Sequence, residues 1–136
     1  MIKQLAHLAF SVSDINKSLD FYINKLGFRI KFTLDDEDGN PWIVYLQINE
    51  GQFIELFPEY EINEKHHKHS SYQHFCLEVE NIHEVVKNLE SQGVKIDEPI
   101  SMGMDNNYQC WIQDPDGNPI ELMEYGKEAL QLRKHK

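Results

Sequence analysis

The chain has 136 residues, 40% of them hydrophobic and 26% charged, a balance that predicts a soluble globular domain rather than a disordered or membrane-embedded segment. Its net charge of −10, from 13 basic and 23 acidic residues, works against binding nucleic acid phosphates or an anionic membrane surface. The two cysteines, Cys76 and Cys110, are too few for a disulfide framework and are expected as reduced, buried, small apolar side chains of a cytoplasmic protein. Met1–Leu5 carries no apolar run of the signal-peptide kind, and no stretch approaches the ~18 apolar residues of a membrane span.

From Leu5 to Val12, Leu8, Phe10 and Val12 alternate with His7, Ala9 and Ser11, the period of a half-buried strand. Ser13-Asp14 then offers a helix cap. Ile15, Leu19, Tyr22 and Leu26 form the apolar stripe of an amphipathic helix, which Gly27 stops. Strands are predicted over Phe28–Leu34, Trp42–Ile48 and Gln52–Phe57, with turns at Asp38-Gly39-Asn40-Pro41 and Asn49-Glu50-Gly51.

The same order then returns. Gln73–Val79 alternates as a strand, and Asn81 caps a helix carrying Ile82, Val85, Val86 and Leu89, ended by Gly93. Strands are predicted around Val94–Ile96, Gln109–Gln113 and Pro119–Tyr125, the last two joined by the turn Asp114-Pro115-Asp116-Gly117-Asn118. Spacing supports the duplication. His7 to Gly27 is 20 positions and His74 to Gly93 is 19, while Gly27 to Glu55 and Gly93 to Glu121 are both 28. The expected organisation is one domain over 1–136: module one at 3–58, a polar linker at 59–71, module two at 72–126 and a charged tail at 127–136. The tail is expected either to dock as a short helix or to fray.

His7 and His74 hold matching places on the first strands of the two modules, and Glu55 and Glu121 hold matching places on the last. Each glutamate is framed by large apolar residues, in Phe53-Ile54-Glu55-Leu56-Phe57 and Ile120-Glu121-Leu122. A carboxylate in such surroundings is costly unless it is paired or binds a metal. A lone strand histidine is usually a satisfied interior residue, but the fourfold coincidence points to one divalent metal ion held by two imidazoles and two carboxylates. His66, His67 and His69 in the linker, His83 in a first helical turn and His135 in the tail read as solvated. Glu78, Glu90 and Glu124 read as surface charges, Glu124 on the strand face opposite Glu121.

His7-Leu8-Ala9-Phe10-Ser11-Val12, with Asp14, Ser18, Phe21-Tyr22 and Leu26-Gly27-Phe28, resembles the opening module of glyoxalase I and other members of the vicinal-oxygen-chelate superfamily. Phe53-Ile54-Glu55-Leu56 and Asp114-Pro115-Asp116-Gly117-Asn118-Pro119-Ile120-Glu121-Leu122 resemble its two glutamate strands. The resemblance spans residues 4 to 125. It implies an α+β fold of two tandem βαβββ modules in an eight-stranded, partly open cup with helices outside, usually as a homodimer. It places His7, Glu55, His74 and Glu121 on the metal-ligand positions, for Ni, Co, Zn, Mn or Fe, and Glu121 or Glu55 as the catalytic base.

The implied activity is that of a metal-dependent lyase or isomerase. It would move a proton through an enediolate on a small carbonyl substrate such as a thiol adduct of methylglyoxal. The chain departs from the pattern in having Asn24-Lys25 before the helix end and only two arginines, Arg29 and Arg133, to meet the carboxylates of glutathione. Alternatives are an epimerase acting beside a carbonyl, a ligand-sequestering protein of the bleomycin-resistance kind, and an extradiol dioxygenase. Phe10, Phe53, Phe57, Tyr108 and Trp111 are candidate lining residues.

Overall fold

A computed structural model describes residues 1, 4–58 and 72–134. The chain divides into two compact units, residues 1–69 and 70–136. The linker at 59–71, with His66, His67 and His69, lies outside the described residues, as does His135.

In the first unit β1 (His7–Ser11) leads into α1 (Ile15–Leu19), and β2 (Arg29–Asp35), β3 (Pro41–Asn49) and β4 (Gln52–Phe57) follow. The sheet order is β1-β4-β3-β2, with β1 parallel to β4 and the other pairs antiparallel. Strand alternation sorts the side chains. Val44, Leu46, Ile54 and Leu56 are buried and share the core with Val12, Phe21, Tyr22 and Phe28. Phe53, Glu55 and Phe57 project from the other face and are only partly covered.

Asp14 caps α1, its carboxylate accepting from the Asn16 and Lys17 N–H groups. The regular helix then stops at Leu19, and Asp20–Lys25 continues as π-helix. This corrects the single amphipathic helix expected here and accounts for the unequal spacing. Asp14 to Gly27 is 13 positions, whereas Asn81 to Gly93 is 12. A π-helical turn accommodates one surplus residue while keeping both ends of the helix in place.

The second unit repeats the plan with β5 (Phe75–Glu78), α2 (Ile82–Ser91), β6 (Glu98–Met102), β7 (Tyr108–Gln113) and β8 (Pro119–Glu124), in sheet order β5-β8-β7-β6. Cys110, Ile112, Ile120, Leu122, Ile82 and Leu89 form its core. Each module is thus βαβββ. The strand expected at Val94–Ile96 is not present. That stretch is irregular, Val94 is buried at the helix exit, and the strand begins only at Glu98. Pro99 within it is tolerated because β6 is an edge strand. Glu124 is no idle surface charge, since its carboxylate accepts the Ile82 N–H at 2.9 Å and helps Asn81 cap α2. The tail docks on this unit. Ala129 is buried, the Leu130 N–H donates to the Asp105 carbonyl, and Gln131 bonds both Asn107 and Asp105.

One turn occurs twice in unlike places. Asp36–Pro41 joins β2 to β3, and Asp114–Pro119 joins β7 to β8. In each, the first aspartate accepts the N–H groups two and four residues on, at 2.8–2.9 Å. In each, the glycine, Gly39 or Gly117, has φ +81, a left-handed conformation that a Cβ would strain. Among the described residues no helix is long and apolar enough to cross a membrane.

Candidate metal centre

Cross-strand register places the candidate residues. In unit one a row runs Phe32, Tyr45, Glu55 and Ala9 across β2, β3, β4 and β1. In unit two the matching row is Glu98, Trp111, Glu121 and Cys76 across β6, β7, β8 and β5. Each row lies on the sheet face opposite the core. The histidine sits two residues before the first-strand member of the row, hence on the same face.

Within each unit the expected histidine and glutamate meet. His7 Nε2 lies 3.2 Å from Glu55 Oε2, and His74 Nε2 lies 3.2 Å from Glu121 Oε2. The carboxylates are sheltered, with side chains 12% and 9% exposed, while the imidazoles are 43% and 37% exposed. Two donors held ~2.0–2.2 Å from one ion stand about 3.0–3.4 Å apart in octahedral or tetrahedral geometry. The spacing therefore suits a shared ion as well as an imidazolium–carboxylate contact. Each pair supplies two donors, and among the described residues no three His, Cys, Asp or Glu side chains are grouped for a metal.

The neighbours of the two glutamates differ. The Tyr45 hydroxyl donates to Glu55 Oε1. Its ring stacks on Phe32 at 4.2 Å and meets Phe53 and His7 edge-on at 6.3 and 6.0 Å. In unit two the Trp111 ring lies edge-on to His74 at 4.6 Å, and Cys76 is the cross-strand partner of Glu121. Cys76 is solvent-facing, which corrects its expected burial. Dense surrounding protein, followed by the Glu121, Asp105 and Glu78 carboxylates, pushes its thiol up to about 12. Burial and then Asp114 push Tyr72 up to about 12, and the Tyr72 hydroxyl donates to the Pro119 carbonyl.

Of the candidate lining residues, Phe53, Phe57 and Trp111 share the face of the histidine–glutamate pairs. Phe10 pairs with Leu56 on the core side, and Tyr108, paired with Glu124, lies 6.5 Å from the His83 ring on the helix side. The sequence does not single out Tyr45 or Phe32, and it marks Cys76 as a small apolar side chain rather than as a neighbour of Glu121. Spacing carried a signal for Tyr45, which precedes Glu55 by ten residues as Trp111 precedes Glu121. A concavity of about 340 Å³ lined by Ser13, Asp14, Ile15, Asn40, Pro41 and Pro58 includes none of the four candidate ligands.

Comparison with known proteins adds a family. Residues 4–122 match the sequence model of the Glyoxalase/Bleomycin resistance protein/Dioxygenase superfamily. The chain is 28% identical to "Glyoxalase I" of Saccharomyces cerevisiae across 96% of its own length, but spans only 47% of that protein. It is 29% identical to the "Probable lactoylglutathione lyase" of Synechocystis, covering 88% of this chain and 94% of that one. Among solved structures, a glyoxalase family protein from Enterococcus faecalis superposes with a TM-score of 0.76 at 27% identity, covering 90% of this chain and 98% of the other.

Proposed function

We propose a function from one premise: the chain belongs to the Glyoxalase/Bleomycin resistance protein/Dioxygenase superfamily. The reading is a metal-dependent lyase or isomerase of glyoxalase I type, acting on a small carbonyl substrate such as a thiol adduct of methylglyoxal. The observation that carries it is the repeated histidine–glutamate contact, 3.2 Å in each unit and at the same place in each module. A single such contact is an ordinary ion pair. Its repetition supplies two neutral nitrogen donors and two carboxylates, a donor set that balances the charge of a divalent ion.

His7, Glu55, His74 and Glu121 would hold the ion. When bound, a divalent metal supplies Lewis-acid polarisation to the neighbouring oxygens of a carbonyl substrate. The chain's own residues do the rest. Glu121, 7% exposed and beside His74, Trp111 and Cys76, takes the proton from the carbon next to the carbonyl and returns it to the adjacent carbon. A sheltered carboxylate keeps that proton from exchanging with water. The protein works in the cytoplasm as a homodimer.

The test has two arms. Metal analysis after loading with Ni²⁺, Co²⁺, Zn²⁺, Mn²⁺ or Fe²⁺ is expected to find one tightly bound ion per site. Turnover of methylglyoxal with a panel of thiols is expected to fall at least ~100-fold in Glu121→Gln. Full activity in that variant removes Glu121 from the reaction. Tight binding of an organic ligand with no metal uptake replaces the enzyme reading with sequestration.

A further inference from the structure

The two carboxylates of the proposed donor set are not held alike. Both stand at the same register position, flanked on one side by a residue of the third strand in the module and on the other by a residue of the first. In unit one those neighbours are Tyr45 and Ala9. In unit two they are Trp111 and Cys76. Glu55 therefore accepts from a phenol O–H. Ala9 offers no side-chain donor. Glu121 has beside it Cys76, whose thiol is a weak donor on a short side chain.

The phenol is itself fixed. The Tyr45 ring lies nearly parallel to Phe32, with an interplanar angle of 22°, and is edged by Phe53 and His7 at 62° and 69°. A hydroxyl on a ring packed by three others loses little further freedom on donating, so the bond constrains the Glu55 carboxylate torsion more than a freely rotating donor would. One Glu55 oxygen accepts from Tyr45 and the other faces His7 Nε2. Outer partners of this kind orient metal ligands and raise metal affinity.

We propose that Tyr45 is a positioning residue that fixes Glu55 as a standing ligand, so that the moving carboxylate is Glu121. This rests on the metal-dependent reading above. Phe32 acts one step further out, by holding the Tyr45 ring.

The experiment is Co²⁺ binding to the full chain, followed by competition with a chelating dye and by the visible spectrum of the bound ion, with melting of the metal-free protein alongside. Tyr45→Phe is expected to raise Kd ~10–100-fold and to alter the Co²⁺ spectrum while the metal-free melt moves little. Phe32→Leu, at an exposed position, keeps the hydroxyl but loosens the ring, and its Kd should fall between those of wild type and Tyr45→Phe. Unchanged Kd and spectrum in both Tyr45→Phe and Phe32→Leu overturn the inference, and Phe32→Leu decides it should Tyr45→Phe fail to fold. A wild-type chain that takes up no Co²⁺ overturns the metal-dependent reading itself.

Discussion

Glu55 and Glu121 occupy one position in a repeated module, yet single substitutions should separate them. With Glu55 tied to Tyr45 and His7, Glu55→Gln is expected to weaken metal uptake first, with turnover recovering partly at saturating metal. Glu121→Gln should spare more of the affinity and lose turnover at every metal concentration. Equal effects on both quantities in the two variants would erase the distinction. Cys110 offers a test of stability instead. It is wholly buried, and burial pushes its thiol from 9.0 to about 11. The fold favours the neutral thiol, so the associated stability is intact below pH 9.0 and is lost as pH rises through about 11. In melts taken across that window, Cys110→Ala should show a shallower alkaline decline than the wild type. An identical decline would assign the loss to other groups such as Tyr72, whose hydroxyl is also raised.

Among the elements, the repeated hairpin separates turn geometry from burial. Asp36 and Asp114 accept the same pair of backbone donors, but Asp36 is exposed whereas Asp114 is buried and also accepts the Asn118 amide at 2.9 Å. Asp114→Ala leaves those donors without their acceptor out of reach of water, for an expected cost of ~2–3 kcal/mol. Asp36→Ala, where water can replace the carboxylate, should cost about 1 kcal/mol or less. Urea unfolding of the two variants checks the contrast, and equal midpoints would mean that burial of the turn is immaterial. The elements also mark where sequence reading stopped. Period-two alternation places β1 and β5 to within two residues, and apolar runs bracketed by turns place β3, β4, β7 and β8 to within one. β2 was also found, though every residue in it is exposed, since Gly27 and the Asp38-Gly39 turn bracket it. β6 has no such frame. Its apolar lead-in, Val94–Ile96, is the helix exit, and Pro99 disguises the strand. The docked tail was undecidable because its anchor points, Asp105, Asn106 and Asn107, lie more than twenty residues earlier in a loop with no periodicity.

Across the whole molecule, duplication makes the candidate site legible. Alternation assigns His7, Glu55, His74 and Glu121 to faces, and equal spacing matches each to its counterpart. The third-strand neighbours of the glutamates depend on hairpin register, which turn length fixes and composition does not. Composition therefore leaves Tyr45 unmarked as the partner of Glu55, even though Tyr45–Glu55 and Trp111–Glu121 share a ten-residue interval. The presence of one surplus residue in the first module had a visible sign in the spacing, but its form did not. It is taken up in the π-helical stretch Asp20–Lys25 rather than in a loop. That stretch works as a length buffer. An insertion absorbed within a helix changes neither the phase of the strand before it nor that of the strands after it, so the histidine and the glutamate keep their appointed faces. One extra residue is thus absorbed in this module while His7 and Glu55 stay in contact.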